Sequence, residues 1–121
     1  MTTSTPKTAI VTGAARGIGL ATTKLLIAAG YQVAMVDRDH AELIAAAAPL
    51  EAAAAFICDI ADPGAITAMI DDVIAWSGRI DALVNNAGVA DFGPIEETDF
   101  ERWRNVMATN LDGVFLCTQA A

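Results

Sequence analysis

Positive charge is scarce in this sequence. It has 7 Lys and Arg against 15 Asp and Glu, a net charge of -8 and a pI near 4.3. That balance excludes nucleic acid and an anionic membrane surface as partners. It does not exclude a small anion, because backbone amides bind one without net positive charge. Histidine is reduced to His40, and no Cys/His spacing suggests a metal site. His40 is expected on the exposed start of a short helix. The two cysteines, Cys58 and Cys117, sit in the apolar contexts Phe56-Ile57-Cys58 and Phe115-Leu116-Cys117. They read as buried, inert thiols rather than a disulfide framework.

Long apolar runs are also missing. The alanine-rich stretch from Leu43 to Ile60 is broken by Pro49, Glu51 and Asp59, so no transmembrane helix is expected. Met1 to Lys7 is polar and lacks the apolar segment of a secretory leader. The expected compartment is the cytoplasm. With 121 residues there is room for one domain at most, and 55% hydrophobic content is enough for its core.

What is present alternates regularly. Lys7 to Thr12 reads as a buried strand, followed by a helix from Gly17 to Ala29 stopped at Gly30. Ile18, Ala21, Leu25 and Ala29 share one face of that helix. Gln32 to Val36 is a second strand ending at Asp37, and His40 to Ala48 a short helix. Ala54 to Cys58 is a third strand. Asp62 caps the next helix, Pro63 occupies its first turn, and Gly78 ends it. Its stripe is Ile66, Ile70, Val73 and Trp76. A fourth strand spans Asp81 to Asn85, then a loop runs from Gly88 to Glu97. Thr98-x-x-Glu101 predicts a capping box for the last helix, with the stripe Phe100, Trp103, Met107, Asn110 and Val114. Trp76 and Trp103 are expected in the core or at the open face of the last unit. Strand-helix order repeated in this way predicts an α/β fold, a doubly wound parallel sheet with helices on both faces.

The richest stretch is Thr12-Gly13-Ala14-Ala15-Arg16-Gly17-Ile18-Gly19. It follows a strand and opens a helix. Glycines there make the tight turn, let the backbone approach a phosphate and let the helix pack closely. The free amides and the dipole at the helix start favour an anion. The spacing is T-G-x-x-x-G-x-G rather than G-x-G-x-x-G.

That variant resembles the short-chain dehydrogenase/reductase family. Asn85-Asn86-Ala87-Gly88 is similar to that family's N-N-A-G motif, Arg79-Ile80-Asp81 leads into its strand, and Asn110-Leu111-x-Gly113 resembles its helix asparagine motif. The resemblance covers Lys7 to Ala121. It implies a Rossmann-type NAD(P)-binding domain, here residues 1–121, truncated after the fourth β-α unit and so incomplete at its C-terminal side.

The resemblance also implies roles. Thr12, Gly13, Arg16, Gly17, Ile18 and Gly19 would form the pyrophosphate turn. Asp59 would meet the adenine amino group with Ile60 packing the ring, although Asp59 also suits a helix-entry turn. Asn86, Ala87 and Gly88 would pass under the adenosine ribose, tie neighbouring strands together, or both. Asp37 lies 18 positions beyond Gly19 and can accept the ribose hydroxyls of NAD. It would repel the 2′-phosphate of NADP by on the order of 1–4 kcal/mol. Arg16 and Arg38 pull the other way, toward NADP. The balance favours NAD, with NADP the weaker candidate.

Family members transfer hydride between nicotinamide and an alcohol or carbonyl. A tyrosine, a lysine four residues later, a serine and the helix asparagine handle the proton. Of these only Asn110 has a counterpart, and it also suits a structural role bonded to backbone. Tyr31 is the only tyrosine, with Met35 four residues on. The expected function is the NAD(H)-binding portion of such an oxidoreductase, inactive alone and acting on an alcohol or carbonyl substrate only if the missing half is supplied. A non-catalytic dinucleotide-binding or scaffold module is the alternative. Self-association is expected, since the fourth strand would present an open edge.

Overall fold

The computed structural model describes residues 5–121. The polar start of the chain lies outside the described residues up to Ser4. Four strands form one parallel sheet: β1 (Thr8–Thr12), β2 (Gln32–Asp37), β3 (Ala53–Ile57) and β4 (Ala82–Val84), in the order β3-β2-β1-β4. Register places Val11 between Met35 and Val84. β1 is buried throughout because it is central and covered on both faces.

Alternation along β1 divides the core. Ile10, with Ala34 and Val36, faces α3 (Pro63–Ser77) and α5 (Gly113–Ala120), meeting Ile66, Met69, Val73 and Cys117. Val11, with Val33 and Met35, faces α1 (Gly17–Ala28) and α2 (His40–Ala47), meeting Leu43 and the half-buried Leu26 and Ile27. The crossover order therefore puts α1 and α2 on one face and α3 and α5 on the other. Cys58 and Cys117 are both free and buried, as their contexts predict. His40 is exposed at the start of α2. Among the described residues no helix is long and apolar enough to cross a membrane.

Local chemistry sets most element ends. Asp62 accepts hydrogen bonds from the Gly64 and Ala65 amides, and Gly78 closes α3 in the left-handed region. α2 is capped by Asp39, whose carboxylate accepts from the Glu42 amide.

Four expectations need correction. The face of Ile18, Ala21, Leu25 and Ala29 points to solvent, with Ile18 76% and Leu25 72% exposed. α1 instead turns Gly19 and Thr23 to the sheet. Sterics suit this rotation: Gly19 packs so closely on the Gly13 carbonyl that a Cβ there would lie 2.1 Å from its oxygen. The capping box does not form at Thr98. Asp99 caps α4 (Phe100–Met107) by accepting from the Arg102 amide at 2.8 Å, while the Thr98 hydroxyl donates to Pro94 O. A charged carboxylate is the stronger acceptor, and the 3-10 turn Ile95–Glu97 draws the hydroxyl away.

The stripe from Phe100 to Val114 is also broken. A π-helical turn spans Ala108–Asp112. Its wider turn shifts the period, so Thr109, Gly113 and Cys117 face inward while Asn110 is exposed; Phe100 and Trp103 precede it and are exposed on α4, which buries none of its residues. Neither tryptophan is a core residue. Trp76 lies edge-on to Phe56 and Trp103 stacks on Phe100, both partly open to solvent.

Candidate dinucleotide site

The C-terminal ends of the strands and the turns leaving them enclose a groove of about 510 Å³. Of the sequence-predicted cofactor residues, Gly13, Arg16, Gly17, Ile18, Asp37, Arg38, Asp59, Ile60, Asn86, Ala87 and Gly88 line it. Thr12 and Gly19 lie behind the surface and act through what they hold.

Thr12 ends β1 with its hydroxyl buried among three backbone groups. It accepts from the Asn86 and Ala87 amides at 3.0 Å each and donates to Val84 O at 3.4 Å. One side chain thus ties the glycine turn to the segment leaving β4. Asn86 returns the tie, its amide donating to Gly13 O at 3.2 Å. A Cβ on Gly13 would stand 2.8 Å from Ala87 Cα, and one on Gly19 2.1 Å from Gly13 O. Those two glycines let backbone meet backbone. Gly17 differs: its φ is +58°, and nothing lies within 4 Å of its absent Cβ. Gly17 lines the groove as the first residue of α1, whose first amides have no partner within the helix. No acidic residue occupies the first turn. An exposed backbone cradle at a helix start fits a phosphate group.

Asp37 ends β2 and does two structural jobs. One carboxylate oxygen accepts from the Ala15 amide and the other from the Asp39 amide, both at 3.1 Å. Each oxygen retains capacity to accept further bonds from the groove side. Arg16 reaches across to α2, donating to Asp39 at 2.9 Å and pairing with Glu42. The Glu42 amide, and then Arg16, hold the Asp39 carboxyl below the usual carboxylate range against partial desolvation. Arg38 is exposed and makes no ion pair among the described residues.

Asp59 accepts from the Ala61 amide at 3.0 Å, so it does serve the helix-entry turn while facing the groove. Ile60 is buried beneath it, and its side chain meets Gly113, where an added Cβ would lie 2.8 Å away. Asn110 does not line the groove. Its Oδ1 accepts from Val89 N and its Nδ2 donates to Val89 O, each at 2.8 Å. It is therefore satisfied by backbone, and it anchors Val89, which does line the groove.

Sequence reasoning missed Val36, Asp39, Cys58, Val89 and Thr109 at the wall. Asp39, three residues before Glu42 at a helix start, carried a legible capping signal. Thr109 is turned inward by the π turn, which left no signal. Among the described residues no cluster of His, Cys, Asp or Glu could hold a metal ion.

A parallel sheet whose central strand runs through a glycine turn into a helix defines a Rossmann-type nucleotide-binding unit. The short-chain dehydrogenase family model matches residues 7–121, and the chain belongs to that family. It is 44% identical over 118 residues to the D-threitol dehydrogenase of Mycolicibacterium smegmatis, covering 94% of this chain and 45% of the relative. It is 35% identical over 117 residues to the meso-2,3-butanediol dehydrogenase of Serratia marcescens, covering 95% and 47%. The solved 3-ketoacyl-(acyl-carrier-protein) reductase of Brucella melitensis, complexed with NADH, superposes with a TM-score of 0.90 at 32% identity, covering 93% of this chain and 47% of that one. The chain spans about half the length of the relatives it matches. The fold is the NAD(P)-binding Rossmann fold of this family.

Proposed function

We propose that this chain is the NAD(H)-binding portion of an oxidoreductase acting on an alcohol or carbonyl group. One observation carries the choice of cofactor: the Asp37 carboxylate lines the groove at the end of β2. A carboxylate there accepts ribose hydroxyls and repels a 2′-phosphate. The Gly13–Gly19 turn and the α1 amides would hold the pyrophosphate. Asp59 and Ile60 would border the adenine, and Asn86 to Gly88 would floor the adenosine ribose. The nicotinamide, when bound, supplies or accepts the hydride. Two of the relatives are dehydrogenases named for D-threitol and for meso-2,3-butanediol, which supports a hydroxyl-bearing small molecule as substrate class.

Asn110 is the one residue here that the family's proton chemistry would use. With one bond from each amide atom spent on Val89, its remaining hydrogen and lone pair could still hold a water. No serine, tyrosine and lysine in these 121 residues complete the family's acid/base set, so we infer binding without turnover by this stretch alone. The same reading places the protein in the cytoplasm and has it self-associate through the exposed Leu111 and Phe115 of the last helical segment.

The test is a fluorescence titration of the purified protein with NADH and NADPH. NADH should bind at least about tenfold tighter. Asp37→Ala should narrow that ratio. A folded sample that binds neither nucleotide overturns the proposal.

A further inference from the structure

We propose that Asp39 and Glu42 are positioning residues for cofactor choice, acting by occupying the Arg16 guanidinium and offsetting its charge at the groove wall. This rests on the dinucleotide reading above and deepens it.

Three observations converge. Arg16 stands in the glycine turn as the N-cap residue of α1, with extended backbone and no side-chain bond to its own helix. Its guanidinium instead leans to the start of α2, donating to Asp39 Oδ2 at 2.9 Å and pairing with the Glu42 carboxylate. Asp39 is itself fixed from two sides. Its Oδ1 accepts from the Glu42 amide at 3.2 Å, and its amide donates to Asp37 Oδ1 at 3.1 Å. Asp39 and Glu42 are three apart at a helix start, so both carboxylates face the same way.

The consequence is electrostatic. A basic residue near the ribose accommodates a 2′-phosphate, and Arg16 and Arg38 are the basic residues of the groove wall. Two carboxylates against one guanidinium leave the Arg16 site with net negative charge. Arg38 is then the one basic residue of the groove wall with no carboxylate partner among the described residues. Discrimination against NADP is thus shared between Asp37, which faces the ribose, and a pair of acids that occupy Arg16.

The test compares wild type with Asp39→Asn/Glu42→Gln and with the triple variant that adds Arg16→Ala. Asparagine caps a helix as well as aspartate does, so α2 is preserved. If the double variant melts early by circular dichroism, Glu42→Gln alone carries the comparison. Each protein, at its natural chain length, is titrated with NADH and NADPH at low salt. The double variant should shift the affinity ratio toward NADPH by about three- to tenfold, the scale of exposed ion pairs. Adding Arg16→Ala should abolish most of that gain. An unchanged ratio in the double variant overturns the proposal. So does a gain that survives the loss of Arg16, since direct repulsion by the two acids then explains it. If folded wild type binds neither nucleotide, the dinucleotide reading itself fails and this one with it, a result distinct from an unchanged ratio.

Discussion

Asn110 and Val89 form a closed pair: the amide side chain of one accepts from and donates to the backbone of the other, at 2.8 Å each way. Gly88 lies beside it, where a Cβ would just touch Asn110 Oδ1 at 3.4 Å. The pair pins the segment leaving β4 at the rim of the groove. Asn110→Ala should cost about 1–2 kcal/mol, the net worth of two hydrogen bonds on an exposed segment. Urea denaturation measures the loss. Amide exchange at Val89 should rise several-fold in the same variant. Unchanged protection at Val89 would mean that something other than Asn110 holds the loop.

The glycines of the turn should separate by experiment. Gly19→Ala puts a methyl 2.1 Å from the Gly13 carbonyl, backbone against backbone with nothing flexible to yield. It should lose more than about 3 kcal/mol, in the range where cooperative folding fails. Gly17→Ala meets no atom, but its φ of +58° costs an L-residue roughly 1–2 kcal/mol. The Gly17 variant should fold, melt slightly lower and bind NADH weakly, because Gly17 lines the groove at the start of α1. Thermal melts paired with NADH titrations check both. A Gly17 variant with full NADH affinity would remove Gly17 from the phosphate site.

The contrast shows what periodicity can and cannot carry. Strand positions were legible because apolar runs are bounded by turn chemistry, and the groove follows from their order, since its walls are the strands' C-terminal ends. The ends of α3 were legible because Asp62, Pro63 and Gly78 each fix a local conformation. The rotation of α1 was not. That helix is apolar on most sides, so Ile18 and Leu25 looked as suitable for burial as Leu26 and Ile27. The close approach of Gly19 to the Gly13 carbonyl favours the observed rotation, and it exists only in three dimensions. The π turn at Ala108–Asp112 is hidden for a related reason. One extra residue in a turn leaves composition unchanged and moves every later side chain to a new face.

Gly113 is where that shift meets the groove. An added Cβ would lie 2.8 Å from Ile60 Cδ1 and 3.0 Å from Ile60 O. Gly113→Ala should therefore destabilise by about 1–3 kcal/mol, the usual cost of overpacking. Ile60→Val removes the nearest carbon but not the carbonyl. The double variant should then lose less than the sum of the singles by about 0.5–1 kcal/mol, a coupling expected for residues in contact. Denaturant titration of the four proteins measures it. Strict additivity would mean that α5 shifts away as a unit rather than pressing on Ile60.

Cys58 gives the pH dependence its direction. Burial between β3 and α3 pushes its thiol up to about 11 from an ordinary value of 9.0, with Cys117, Asp59 and Asp62 adding repulsion. Burial also raises Cys117. The fold prefers the neutral thiol, so this contribution is complete below about pH 9 and is lost as pH rises toward about 11. The difference between wild type and Cys58→Ala isolates the thiol. At neutral pH the variant should be the less stable, by about 1 kcal/mol for the sulfur removed from a packed site. Between about pH 9 and 11 that gap should close, because wild type alone must then ionise a buried group or unfold to do so. Denaturation midpoints across this range decide it. A gap that stays constant would mean the Cys58 thiol remains neutral throughout, or reaches water without unfolding.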